Sequence, residues 1–398
     1  MRTAGIICEC NPPHAGHEYL IREARRNADC AVCLMSGPFV QRGEAAVLTP
    51  HARAEILLGM GADLVAELPF PYAAAGAESF AEAGVSILTR LGADELWFGS
   101  ESGDMELLER AARAADDPAF RADYAERLNA DPEGTAALYF SMLAERCGLS
   151  EPLAPNDILG TAYLRAVRGQ GSRLRPRCVA RVGTPHAEAR LTDDPYPSAS
   201  ALRNAILSGN LRDVYAKMPD FERNILEREA EEGRFPISLD RAAPALLAFL
   251  RVADPSAFDG IAEAAGGVGG RLKKAANEAT DVGSLLSRAA TKKYPLARLR
   301  RGLLFSMLGV TRTDLTAPPA YLRPLALNAV GEAFLAQVRR TAAVPVCPTV
   351  SAVPKTAAAK RQKILSDRAR ALYALCFPAP MSPAELIRQP VLRKPAEI

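Results

Sequence analysis

Tryptophan occurs once in this 398-residue chain, aromatic residues make up 6% of it, and only four histidines are present. No apolar run approaches the ~18 residues needed to cross a bilayer, so no membrane partner is expected. Behind Arg2 the only early apolar stretch is residues 5–8, cut short by Glu9, which is too little for the apolar segment of a secretion signal. A cytoplasmic protein is expected. Eight cysteines are too sparse for a disulfide scaffold and are expected to be reduced and packed. Cys30-x-x-Cys33 has the spacing of half a zinc site, but no second pair stands at a matching interval. Strand packing is the reading there, and no metal held directly by protein ligands is expected.

Hydrophobic residues at 48% and charged residues at 24% describe an ordinary globular chain, whose length suggests roughly two or three domains. The net charge of +3 conceals an asymmetry. Residues 1–200 hold 19 Lys+Arg against 28 Asp+Glu, whereas residues 201–398 hold 30 against 18 and residues 271–398 alone hold 22 against 7. An acidic half joined to a basic half predicts two jobs, the basic one beside a polyanion such as nucleic acid.

Short apolar runs at 4–10, 31–35, 64–68 and 95–98 are each followed by a helical pattern, at 17–27, 50–60, 73–91 and 104–115. Four such units predict an α/β, Rossmann-like, doubly wound parallel sheet. Asp63 and Asp94 both follow a Gly-Ala step, a left-handed helix stop before a strand. Residues 116–168 read as helical, 174–182 as a further strand, and a capped helix opens at Ser198. Beyond about 220 strand signals weaken: helices dominate, 266–274 reads as a Gly- and Lys-containing joint, and the Pro-rich tail from Pro378 as irregular. The chain is therefore divided into residues 1–218 and a mainly α-helical C-terminal domain, 219–398.

Two segments carry chemistry. The first strand runs into Glu9-Cys10-Asn11-Pro12-Pro13-His14-Ala15-Gly16-His17, where a helix begins. A strand-to-helix loop aims backbone amides and the positive end of the helix dipole at an anion, which is where open α/β sheets bind nucleotides. Two of the four imidazoles stand here, three positions apart, and Gly16 admits a close approach. The plain alternative is a pair of surface or capping histidines. The second segment, Ser198-Ala199-Ser200-Ala201-Leu202-Arg203, puts hydroxyls at a helix start and a guanidinium one turn on; read alone it is a helix cap.

His14-x-Gly16-His17 resembles the His-x-Gly-His motif of the nucleotidyltransferase superfamily, and Ser198 to Arg203 resembles its later Ser/Thr-x-x-x-Arg element. With residues 36–44 (SGPFVQRGE), 61–69 (GADLVAELP), 98–101 (FGSE), 155–160 (PNDILG) and 292–301 (KKYPLARLRR), the chain is similar to the bacterial tRNA(Met) cytidine acetate ligase family from residue 4 to at least 375. Cys10, Pro13 and Ala15 depart from that family's usual Tyr, Phe and Asn.

The resemblance implies a nucleotidyltransferase-fold ATP-binding catalytic domain and a tRNA-binding one. The implied enzyme activates acetate as acetyl-adenylate and acetylates N4 of the wobble cytidine of elongator tRNA(Met). It implies an ATP site formed by Ile7, Cys8, Glu9, Cys10, Asn11, Pro12, Pro13, His14, Ala15, Gly16, His17, Glu18, Tyr19 and Leu20, with Gly99, Asn156 and Arg181. His14 and His17 are then the catalytic pair on the α/β-phosphates, and Ser198, Ser200 and Arg203 hold the β/γ end. Mg²⁺ is expected on phosphate oxygens. Gln41, Arg42, Lys292, Lys293, Arg298, Arg300 and Arg301 are the tRNA candidates, with Tyr294 as a base-stacking ring. No covalent intermediate is needed, so the want of a Ser-His-Asp pattern is no objection. A small-molecule adenylyltransferase, or a non-catalytic RNA-binding protein with a vestigial nucleotide pocket, are the competing readings. Oligomeric state is not readable.

Overall fold

A computed structural model of the chain describes residues 1–130, 135–181, 190–191, 194, 196–379 and 381–394. Its strands are β1 (Thr3–Cys8), β2 (Cys30–Ser36), β3 (Leu64–Leu68), β4 (Glu95–Ser100), β5 (Arg175–Ala180), β6 (Arg323–Leu327) and β7 (Leu392–Arg393). Among the described residues they form one seven-stranded sheet in the order β5-β4-β1-β2-β3-β6-β7. All neighbours are parallel except β3 and β6. Val182, the last residue of the expected fifth strand, lies outside the described residues.

The first half supplies helices α1 (Ala15–Asn27), α2 (Pro50–Gly59), α3 (Ala77–Leu91), α4 (Met105–Asp116), α5 (Pro118–Ala130), α6 (Thr135–Arg146), α7 (Pro155–Gly169), α8 (Ala199–Leu207) and α9 (Leu211–Tyr215). The second half supplies α10 (Asp220–Glu231), α11 (Ala243–Val252), α12 (Val268–Ala276), α13 (Val282–Ala289), α14 (Leu296–Leu308), α15 (Arg312–Thr316), α16 (Ala329–Val338), α17 (Ala357–Ala374) and α18 (Pro383–Arg388). Among the described residues no helix is long and apolar enough to cross a membrane.

Strands β1 to β3 are buried on both faces, which is why they read as mostly apolar runs; the one buried charge among them, Glu67 of β3, pairs with Arg370. Val32, Leu34, Leu64 and Leu96 face a layer covered by α3, α4, α7 and α16, while Ala4, Ile6, Met35 and Val65 face one covered by α1, α2, α8 and α10. Cys30 and Cys33 fall in opposite layers, so their spacing cannot present two thiolates to one ion. The paired aspartates have a structural use: Asp63 accepts from Ala31 N and Asp94 from Thr3 N, each at 2.8 Å, tying adjacent strand ends after Gly61 (φ +106°) and Gly92 (φ +91°).

The structure departs from the sequence reading in the basic half. β6 and β7 lie there and extend the sheet, and the 266–274 joint is mostly helix, α12. The tail contributes α18 and β7. A third core of α11–α14 and α17 closes over Phe39 and Phe70, which stand on loops at the carboxyl ends of β2 and β3. The second half therefore packs against the sheet edge where the loops gather.

Candidate active site

Sheet order reverses at β1, which pairs with β4 on one side and β2 on the other. Loops leaving the carboxyl ends of β1 and β4 diverge there, as at the ligand-binding crevice of open α/β sheets. A cleft of about 180 Å³ opens at that point.

His14 is the N-cap of α1, and its Nδ1 accepts from Gly16 N at 3.0 Å. His14 N in turn donates to His17 Nδ1 at 3.2 Å, and the ring centroids are 4.1 Å apart. Because a backbone N–H can only donate, both Nδ1 atoms hold lone pairs, and each neutral ring carries its proton on Nε2. Burial lowers the His17 pKa, assisted by the charge of Arg181 and opposed by Cys8. Both imidazoles line the cleft as neutral donors. Capping engages Nδ1 of each ring and so leaves the phosphate-binding reading, which would use Nε2, open. Gly16 is required sterically: a Cβ there would stand 2.8 Å from His14 Cε1.

The opposite wall is the start of α8. Ser200 and Arg203 line the cleft, and Arg203 Nη1 donates to Asn11 O at 2.9 Å. Ser198 does not line it: fully buried, it caps α8 by accepting from Ala201 N at 3.0 Å. Ser198 thus shapes the helix start that Ser200 and Arg203 present.

At the β4–β5 end the cleft meets Gly99, Asn156 and Arg181. Asn156 is the second residue of α7 rather than its cap, which is Ala154. Of the neighbouring arginines, Arg175 and Arg177 turn to Glu95 at 3.8 and 3.5 Å, leaving Arg181 on the cleft. Ile7, Phe80, Phe98, Leu159 and Tyr163 form an apolar floor. Sequence reasoning missed all of these but Ile7, since a cleft floor and a core face share one composition.

The rest of the first loop divides between lining and support. Cys8, Glu9, Cys10, Asn11, Tyr19 and Leu20 line the cleft, whereas Pro12 and Pro13 are buried away from it and Ala15 and Glu18 lie outside it. Glu18 accepts from Arg22 at 2.5 Å. Cys10, in place of the family's Tyr, is buried at φ +51°. Hydrogen bonds from the Cys10 and Cys33 thiols hold the Cys8 pKa down. Burial raises the Glu9 carboxyl, with Arg42 opposing and Glu44 adding. Buried Arg53 on α2 ties the loops together, donating to Glu9 O at 2.9 Å, Leu48 O at 3.2 Å and Gly37 O.

Arg42 lines the cleft; Gln41 does not, although its backbone hydrogen-bonds the Glu9 carboxylate. The cationic candidates of the second half stand outside the cleft. Arg300 pairs with Glu44 and Arg301 with Glu263, while Arg298 donates to Ala265 O. Lys292 is exposed and Lys293 half-buried. Tyr294 is no open stacking platform: its hydroxyl donates to Gly266 O at 2.5 Å, and Arg271, Lys293 and Arg298 lie 5.1–5.8 Å from its ring centre. Glu44, Arg53 and Glu101 are among the polar residues that the sequence reading left without a role.

Residues 1–385 match the family model described as HIGH Nucleotidyl Transferase. The chain is 32% identical over 400 residues to the tRNA(Met) cytidine acetate ligase of Acetivibrio thermocellus, covering 96% of each chain. It is 34% identical over 366 residues to that of Syntrophotalea carbinolica, covering 89% of this chain and 86% of the relative. Among solved structures it resembles apo Thermotoga maritima TmcAL, with a TM-score of 0.90 and 30% identity over 99% of this chain and all of the other. A crystal structure of the same protein bound with alpha-thio ATP gives a TM-score of 0.86, with the same identity and coverage.

Proposed function

The chain belongs to the tRNA(Met) cytidine acetate ligase family of HIGH nucleotidyl transferases, and we propose that it uses ATP to join acetate to N4 of the wobble cytidine of elongator tRNA(Met), giving N4-acetylcytidine. The observation that carries this reading is the pair of Nε2–H donors at the start of α1, faced across one cleft by Arg203 and Arg181.

Acetate is a poor acyl donor because its oxide is a poor leaving group. One carboxylate oxygen attacks the α-phosphorus of ATP, the bond to the bridging oxygen breaks, and pyrophosphate departs, leaving a mixed anhydride. The cytidine N4 then attacks the acetyl carbon, AMP leaves, and N4 loses a proton. In the first step negative charge moves onto the leaving pyrophosphate, where the imidazole N–H groups and the Arg203 guanidinium hold it in place. His14, Gly16 and His17 are the phosphate-binding core, Ser200 and Arg203 take the β/γ end, and Gly99, Asn156 and Arg181 the nucleoside end.

Mg²⁺ comes with the nucleotide, on phosphate oxygens. Glu9 and Glu44 line the cleft beside the place proposed for the phosphates. The basic second half, 219–398, carries the tRNA, with Lys292, Lys293 and Arg298 as phosphate contacts and Arg42, which lines the cleft, nearest the incoming cytidine. Work on a tRNA supports a cytoplasmic location. Incubation of the purified chain with acetate, ATP and tRNA(Met), followed by mass spectrometry of the nucleosides, tests the reading: N4-acetylcytidine and one AMP per acetyl group are expected. Absence of N4-acetylcytidine from the tRNA, whether or not ATP is consumed, refutes it.

A further inference from the structure

The exit of β4 is held to the first turn of α7 by two carboxylates. Asp157, buried, accepts from Ser100 Oγ and from Ser102 N at 3.1 Å. Glu101 accepts three N–H bonds: from Asn156 N at 2.9 Å, Asp157 N at 3.1 Å and Asn156 Nδ2 at 2.7 Å. The third settles how the Asn156 amide is turned. A carboxylate accepts, so the NH₂ edge of Asn156 faces Glu101, and its carbonyl oxygen faces the other way. Asn156 lines the cleft and Glu101 does not.

With the phosphates at the imidazoles, the nucleobase falls at the far end, where bare Gly99 and apolar Phe98, Leu159 and Val179 make a slot with Asn156 beside it. We propose that Glu101 is a positioning residue that locks the Asn156 carbonyl toward this slot and so selects a base with an exocyclic amino group, adenine rather than a 6-oxopurine. This rests on the nucleotide reading of the cleft. A carbonyl accepts from the 6-amino group of adenine and repels the 6-oxygen of hypoxanthine. Were Glu101 a glutamine, its own NH₂ could donate to Asn156 Oδ1, and the freed amide would turn its donor edge to the base.

The test compares ATP with ITP as substrates for pyrophosphate release by the full chain in the presence of acetate and tRNA(Met). Wild type prefers ATP. Glu101→Gln is expected to lower the ATP/ITP ratio of kcat/KM about tenfold or more, through KM, and Asn156→Ala to lower it less. Asn156→Ala leaves both backbone bonds to Glu101 intact and carries the test should Glu101→Gln fail to fold. A merely structural role for Glu101 would slow both nucleotides alike. An unchanged ratio in the variants overturns the proposal while leaving the ligase reading standing; a wild-type chain that uses neither nucleotide brings down both.

Discussion

Arg203 and Arg300, on helices from opposite halves of the chain, share one carboxylate: Glu44 lies 3.0 Å from Nε of Arg203 and 2.8 Å from Nη1 of Arg300. The loop that carries Glu44 is seated on α14. Gly43 takes φ +71°, and a Cβ there would stand 2.9 Å from Arg301 N. A carboxylate between two guanidiniums occupies a place suited to a phosphate group, so Arg203, proposed to take the nucleotide's β/γ end, is already paired with an anion.

Removing that charge should favour the nucleotide. Glu44→Gln is expected to tighten ATP binding about two- to fivefold at low salt, since Arg203 is no longer drawn away by a competing anion. Isothermal titration calorimetry measures it, and weaker binding would sink the competition argument.

The two uses of His14 are separable. Asparagine is as good an N-cap as any residue, so His14→Asn should keep stability within about 1 kcal/mol while removing the Nε2–H. Adenylate formation should fall about 10²–10³-fold, the usual cost of one such donor. A variant whose melting temperature collapses in step with its activity would show that capping was the only role.

On the RNA side, Lys292→Ala combined with Lys293→Ala is expected to weaken tRNA binding and to flatten its dependence on salt by up to about two in the log–log slope. KM for ATP should stay where it was. A tRNA affinity unmoved at every salt concentration would place the RNA on another face.

Half-buried His51 and buried Glu222 set opposite pH limits on stability. Burial, with Arg323 and Arg370 adding, pushes the His51 pKa down to about 3. The unfolded chain takes up a proton near ~6.5 that the folded chain refuses, so stability is lost as pH falls from there toward about 3. Glu222 runs the other way: burial, with Glu18 adding, raises its carboxyl to about 8, so stability is lost as pH rises from ~4.3 to about 8. Glu222→Gln should therefore raise the melting temperature more at pH 8 than at pH 5, and His51→Gln should flatten the acid side. Equal gains for Glu222→Gln at both pH values would contradict this assignment.

Much of this architecture was legible in advance for physical reasons. Strands buried on both faces are mostly apolar, so β1 to β3 announce themselves, and two of four histidines at the end of the first strand mark the loop proposed to take the phosphates. β6 was hidden because Arg323 and Pro324 interrupt its apolar run. Glu44 was overlooked because its partner Arg300 lies 256 residues away, and Glu101 because it holds a helix that starts more than fifty residues later. Ser198 was recognised as a cap, yet nothing in the order of residues says on which side of a helix a cap will stand.

The antiparallel pairing of β6 with β3 has a practical corollary. A fragment ending at residue 218 would strip one flank of β3 of its ladder and leave a row of unanswered peptide groups beside buried leucine and valine. Such a fragment is an invitation to self-association, so the nucleotide half cannot be dissected out as a free-standing catalyst, and any minimal version of this enzyme must keep the chain through at least residue 327.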